Sequence, residues 1–217
     1  MFSMQFLVAS LIVVLMPGTG AIYTISTGMA QSWRAGIAAA VGCTFDIVPH
    51  LLASILGLSA TQQLVGLSAY AIAPCRACES CRETGVCAID DDMGQIYEDF
   101  RDCDALIIGT PVYFRNVSAQ LKAVFDRAYA VRPTKPLAGR FGGAIAVGRG
   151  TGGGQSIALT VIHNFFLSMG VICVPGELNG VSAVADKPGD ILRDERRLRQ
   201  ARVLGENILH VAERARA

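Results

Sequence analysis

An α/β fold built on a parallel sheet is predicted by three features of the 217-residue chain. The runs at 105–109 (Ala-Leu-Ile-Ile-Gly) and 141–147 are unbroken and apolar, as strands covered on both faces should be. Segments with apolar residues at helical spacing alternate with these runs. Each run then opens into a turn rich in glycine or proline, at the end of the strand where such sheets bind ligands.

The elements follow in order. Gln63–Leu67 reads as a short first strand leading into a cysteine-rich loop. Asp90, Asp91 and Asp92 offer capping carboxylates for a helix that buries Met93, Ile96, Tyr97 and Phe100. After the strand at 105–109, Leu121, Val124, Phe125 and Ala128 mark a second amphipathic helix. The strand at 141–147 leads through the glycine-rich stretch 148–155 to a helix reaching Leu167. Val171–Val174 reads as the last strand and Asp190–Arg214 as the last helix.

Composition divides the chain in two. Residues 1–61 carry only Arg34 and Asp46 as charged side chains, whereas 62–217 hold the rest. The hydrophobic fraction of 52% and a mean hydropathy of +0.42 are therefore concentrated at the N-terminus. Two apolar runs, 4–25 and 37–60, are each about the ~20 residues that cross a bilayer, and we read 1–61 as a membrane-inserted helical hairpin. No basic residue precedes the first run, which disfavours a secretory signal. The formal charge of +1 implies no nucleic-acid partner. The arginines between 193 and 202 are interleaved with carboxylates and read as a solvated helix face.

Seven cysteines are present, and Cys75, Cys78, Cys81 and Cys87 follow one another as C-x2-C-x2-C-x5-C. Spacers this short let the sulfurs converge on one centre, so a [4Fe-4S] cluster, a zinc ion and four unligated thiols all stay open. Thiols this dense also suit a reducing compartment, which puts the C-terminal domain in the cytoplasm, either beneath a membrane or in a wholly cytoplasmic protein. Cys43, Cys103 and Cys173 lie in apolar runs and read as packing residues, and His50, His163 and His210 have no second ligand nearby in sequence.

Two resemblances add to this reading. Met16-Pro-Gly-Thr-Gly20 and Arg34-Ala-Gly-Ile-Ala-Ala-Ala-Val-Gly42 resemble the start of the lysine/threonine exporter (LysE/RhtB) family, a likeness that ends near residue 61. Residues 62–217, through the cysteine loop, Asp90-Asp-Asp-Met93 and Gly109-Thr-Pro-Val-Tyr-Phe114, resemble the flavodoxin-like NAD(P)H-dependent FMN reductases and their iron-sulfur flavoprotein branch. That likeness implies an FMN-dependent oxidoreductase or electron-transfer protein, partnered by NAD(P)H or an electron-carrier protein, and a homo-oligomer is expected. It lays Thr110, Pro111, Val112, Tyr113, Phe114 and Asn116 against the flavin, flanks the flavin with Gly148, Gly150, Thr151, Gly152 and Gly153, and gives a [4Fe-4S] cluster to Cys75, Cys78, Cys81 and Cys87. It also implies a first strand and a Ser/Thr/Asn-rich phosphate loop before residue 62, where the exporter-like hairpin stands instead. The competing readings are an exporter-type membrane fragment with an inactive flavodoxin-like tail, and a non-catalytic metal-binding module.

Overall fold

The computed structural model describes residues 63–187 and 189–216, so the hairpin and the exporter resemblance assigned to 1–61 lie outside the described residues. Strands β1 (Ala105–Pro111) and β2 (Phe141–Gly148) pair in parallel, from Ala105 opposite Phe141 to Pro111 opposite Val147. The other edge of β2 is shared by two short strands. β3 (Ile172–Cys173) pairs with Phe141 and Gly142, and β4 (Val181–Val184) pairs with Ile145 to Gly148, both in parallel. Among the described residues β1 pairs only with β2, and Ile107 on it is 48% exposed.

The described residues include five helices: α1 (Ser80–Thr84), α2 (Met93–Asp102), α3 (Ala119–Arg127), α4 (Gly154–Met169) and α5 (Glu195–Arg216). The adjacent glycines of β2 explain how two of them reach the sheet. A Cβ on Gly142 would stand 2.7 Å from Val171 and 3.0 Å from Phe166, on the α4 side. A Cβ on Gly143 would stand 2.9 Å from Ile208 and 3.0 Å from Leu204, on the α5 side. Successive strand residues face opposite ways, so the glycine pair lets one helix close on each face of the same strand. Filling either position overpacks the core, at about 1–3 kcal/mol.

The predicted helix faces are buried as expected: Met93, Ile96, Tyr97 and Phe100 on α2, and Leu121 and Val124 on α3. Phe125 of α3 stacks on Phe165 of α4 with ring centroids 4.1 Å apart. Ser118 caps α3 by accepting a hydrogen bond from the Leu121 amide.

Three expectations need correction. Gln63–Leu67 is not a strand: Gln63–Gly66 is irregular, and Leu67–Ala69 forms a single 3-10 turn beside α3. The last strand is not one run at 171–174. It is two short pieces on the same edge, the second being Val181–Val184, which the glycines and Pro175 around it disguised. The final helix starts at Glu195, after a separate 3-10 turn at Asp190–Arg193. Among the described residues no helix is long and apolar enough to cross a membrane.

Candidate functional site

Two turns leave the carboxyl ends of β1 and β2 and enclose an open cleft of ≈ 470 Å³. The first supplies Pro111, Val112, Tyr113 and Phe114, the second Val147, Gly148 and Arg149, and Ala185 follows β4. The first turn is tightly specified. The Val112 amide donates to the Val147 carbonyl at 2.8 Å, which continues the β1–β2 pairing past the strand. Tyr113 and Asn116 then exchange two backbone hydrogen bonds of 3.0 Å, and between them Phe114 (φ 47°) and Arg115 (φ 68°) are both left-handed. This is a two-residue turn of the kind usually given to Asn-Gly, and building it from Phe-Arg costs about 1–2 kcal/mol per residue. What the turn achieves is display: Tyr113 is 62% exposed and Phe114 is fully exposed, two aromatic rings held out of the core.

The second turn is fixed by Gln155, a buried residue at the start of α4. Its Nε2 donates to the Gly150 carbonyl at 2.8 Å and to the Ala183 carbonyl at 3.2 Å, tying the glycine-rich turn to β4. The two turns also touch. A Cβ on Gly154 would lie 2.7 Å from Val112 and 3.0 Å from the Arg115 Cα, so only glycine lets α4 begin there. Arg149 crosses to Asp186 as an exposed ion pair.

Of the residues predicted for this site, Pro111, Val112, Tyr113, Phe114 and Gly148 line the cleft. Thr110 is buried beneath the turn, where its hydroxyl donates to the Pro111 carbonyl and accepts from the Ser118 amide. Asn116 closes the turn through its backbone, and its Oδ1 accepts from the Val117 amide. Gly150, Thr151, Gly152 and Gly153 sit on the exposed second turn beside the cleft, with Gly153 at φ 81° before α4.

The cysteine loop holds the four residues assigned to a thiolate-bound centre. Cys75 and Cys78 are exposed, Cys81 and Cys87 are half-buried, and all four are free thiols. Among the described residues no three His, Cys, Asp or Glu side chains stand close enough to hold one metal ion. Short spacers permit convergence but do not impose it. Ala77 and Glu79 are left-handed and Cys81 is taken up by α1, so the backbone turns between one cysteine and the next. Burial first, with smaller contributions from the neighbouring cysteines, pushes the Cys81 thiol up. The Cys75 sulfur accepts a hydrogen bond from the Ala77 amide at 3.4 Å. Four thiols on one short loop are the donor set of a thiolate-bound centre, which would need a bound cation to draw them together.

Both ends of this loop are fastened by one residue the sequence did not single out for that role. Arg127, on α3, is 2% exposed. Its Nη1 donates to the Ala73 carbonyl and to Asp91 Oδ2, and its Nη2 donates to the Ile89 carbonyl and to Asp91 Oδ1, all between 2.9 and 3.1 Å. The guanidinium thus spans the segment before Cys75 and the segment after Cys87 with a bidentate fork. Burial opposes its charge, but the Asp91 hydrogen bonds outweigh that and hold it protonated. The same fork holds the Asp91 carboxyl below its usual range. Tyr97 donates its hydroxyl to the Arg127 carbonyl, and burial, with Cys87 next, pushes its pKa up to about 12. The predicted capping carboxylates are therefore divided: Asp91 accepts from the Met93 amide but also serves Arg127 and the Ala73 amide, and Asp92 accepts from the Ala71 amide.

The fold and this geometry agree with what the chain resembles. It is 37% identical over 174 residues to an iron-sulfur flavoprotein of Methanocaldococcus jannaschii, an alignment that takes in 78% of this chain and 90% of that one. It is 42% identical over 111 residues to an iron-sulfur flavoprotein of Methanosarcina thermophila, of which it spans 58% while 51% of this chain is covered. Among solved structures, a flavone reductase superposes with a TM-score of 0.54 at 12% identity, over 72% of this chain and 54% of that one, a likeness of fold alone. The family described as NADPH-dependent FMN reductase matches residues 32–185, beginning inside the segment read as the hairpin. That match covers well over half of the chain, which belongs to the NADPH-dependent FMN reductase family and has its flavodoxin-like α/β fold.

Proposed function

We propose that the chain is an FMN-dependent oxidoreductase whose flavin rests in the cleft beyond β1 and β2. The observation that carries this reading is the Tyr113–Asn116 turn, which spends backbone strain to hold two aromatic rings at the carboxyl edge of a parallel sheet. Bound FMN would supply hydride acceptance from NAD(P)H and single-electron delivery to a carrier protein. The protein's own part is to bind and orient it. Tyr113 or Phe114 offers a ring face, the amides of Gly148, Gly150, Gly152 and Gly153 offer donors to a pyrimidine edge, and Gln155 keeps those amides in place. No side chain at the cleft is placed as a general acid or base in this reading. Phe114→Ala removes no core contact, so the melting temperature should stay put while FMN affinity, followed by fluorescence quenching, falls about tenfold. An unchanged titration would remove the turn from the site.

The cysteine loop is assigned, in the same reading, to a [4Fe-4S] cluster on Cys75, Cys78, Cys81 and Cys87. The reasons are the donor set and the likeness to the iron-sulfur flavoproteins of M. jannaschii and M. thermophila. Anaerobic reconstitution of the full chain should load about four irons and give a broad absorbance near ~400 nm, and Cys78→Ser should abolish most of both. Equal iron in the variant would return the loop to unligated thiols, and a colourless protein holding one zinc would return it to a zinc site. The C-terminal domain is proposed to face the cytoplasm, in contact with a membrane if residues 1–61 insert.

A further inference from the structure

A second cleft, of ≈ 360 Å³, lies between α1 and the 3-10 turn Ala128–Thr134 that follows α3. Its walls are Cys81, Arg82, Tyr129, Arg132, Pro133 and Lys135: three cations and no carboxylate. The chain as a whole carries a net charge of only +1, so this concentration is local. Arg82 is already engaged by Glu79 at 3.0 Å. No ion pair engages Arg132 or Lys135 among the described residues, and both are exposed residues lining the cleft. Lys135 is held there by a left-handed backbone (φ 49°), an arrangement lysine rarely adopts, closed by its amide donating to the Arg132 carbonyl. Tyr129 lines the same cleft and is 44% exposed, although it belongs to a turn whose neighbours Ala128, Ala130 and Val131 are buried.

An exposed ring beside two unpaired cations is the chemistry that recognises a planar aromatic group carrying phosphate. The ring stacks, the guanidinium forks onto phosphate oxygens, and the ammonium adds a point charge. The volume is within the range of small-molecule sites and near its lower end, which suits a mononucleotide-sized group. We propose that this cleft is a second ligand site, for a nucleotide-type phosphate, in which the ligand covers Cys81. It is separate in residues from the β1–β2 cleft and does not depend on what that cleft binds.

The test is calorimetric titration of the full chain, saturated with FMN, with four probes: ADP, inorganic pyrophosphate, adenosine and a polyglutamate chain. ADP should bind most tightly, pyrophosphate at least tenfold more weakly, and adenosine more weakly still. Tyr129→Ala should reduce ADP to the level of pyrophosphate, and Arg132→Gln with Lys135→Gln should weaken ADP at least tenfold while leaving the prior FMN titration unchanged. All three positions are exposed, so circular dichroism melts of the variants should match the parent. Three results would each overturn the proposal: no saturable ADP binding, pyrophosphate binding as well as ADP, or binding only of a polyglutamate chain in a salt-sensitive manner. The last would make the cleft a contact for an acidic macromolecule. Loss of FMN binding in the parent would instead count against the flavin reading and leave this titration interpretable.

Discussion

Arg127→Leu should lower the unfolding free energy by about 3–5 kcal/mol, the usual cost of removing one partner from an enclosed ion pair. That is a large share of the roughly 5–15 kcal/mol that holds a domain together. The cause is the charge left behind. Asp91 is only 12% exposed and would lose both arms of the fork, while the Ala73 and Ile89 carbonyls would lose their donors. Urea unfolding should show a midpoint lower by about 1–3 M, for a slope of about 1–3 kcal/mol/M. Arg127→Lys separates charge from geometry. It keeps the cation but cannot bridge the two ends of the loop at once, so hydrogen exchange of residues 73–91 should quicken even where the midpoint recovers. A parent-like midpoint for the leucine variant would show that the clasp contributes nothing.

The same pair sets a dependence on acid. The Asp91 carboxyl is held below its ordinary value of 3.8, first by its hydrogen bonds from Arg127. A depressed carboxylate stabilises the fold fully above the unfolded value and loses that contribution as pH falls through the folded one. Stability of the parent should therefore decline below about pH 4 more steeply than that of Asp91→Asn, which has no proton to take up at this position. Equal slopes in acid melts of the two proteins would place the acid-sensitive group elsewhere.

How far the sequence discloses this molecule depends on whether a feature is local. The strands at 105–111 and 141–148 are legible because burial on both faces demands an unbroken apolar run, and the faces of α2 and α3 because 3.6-residue spacing repeats over two or more turns. β3 and β4 are not, since two and four residues hold no period and owe their place to the β2 edge they share. The cleft-lining turn was legible as Thr-Pro-Val-Tyr-Phe, but not the division of labour within it. Thr110 turns inward because its position on β1 faces the interior, while Phe114 is thrown outward by a left-handed backbone no propensity would assign to it. Arg127 and Gln155 were missed for a shared reason. A buried polar side chain on a helix looks the same in sequence as a solvated one, and its partners, Asp91 and Ala183, lie 36 and 28 residues away. The signal available was the placement of Arg127 beside the apolar stripe of α3, one residue before buried Ala128.

FMN should bind residues 62–217 at least about a hundredfold more weakly than it binds the M. jannaschii relative in a side-by-side fluorescence-quench titration. The flavin phosphate carries close to two negative charges and is best held by free amides at a helix N-terminus. The family resemblance puts that loop and its strand ahead of residue 62. Among the described residues the open edge of β1, with Ile107 half-exposed, is where such a strand would add. What the described cleft offers instead suits a ring: exposed aromatic faces, glycine amides and one arginine, Arg149, already paired with Asp186. Each charge-assisted hydrogen bond forgone is worth about 1.5–3 kcal/mol, so losing two is enough for a factor on the order of a hundred or more. Riboflavin separates the causes, because it lacks the phosphate. If the phosphate is unheld, riboflavin and FMN should bind residues 62–217 within about threefold of each other, while the relative should favour FMN strongly. Adding back residues 32–61, which the family match includes, then asks whether they supply the missing contacts: a gain for FMN but not for riboflavin would say that they do. Tight FMN binding by residues 62–217, well above riboflavin, would mean that the turns after β1 and β2 hold the phosphate themselves.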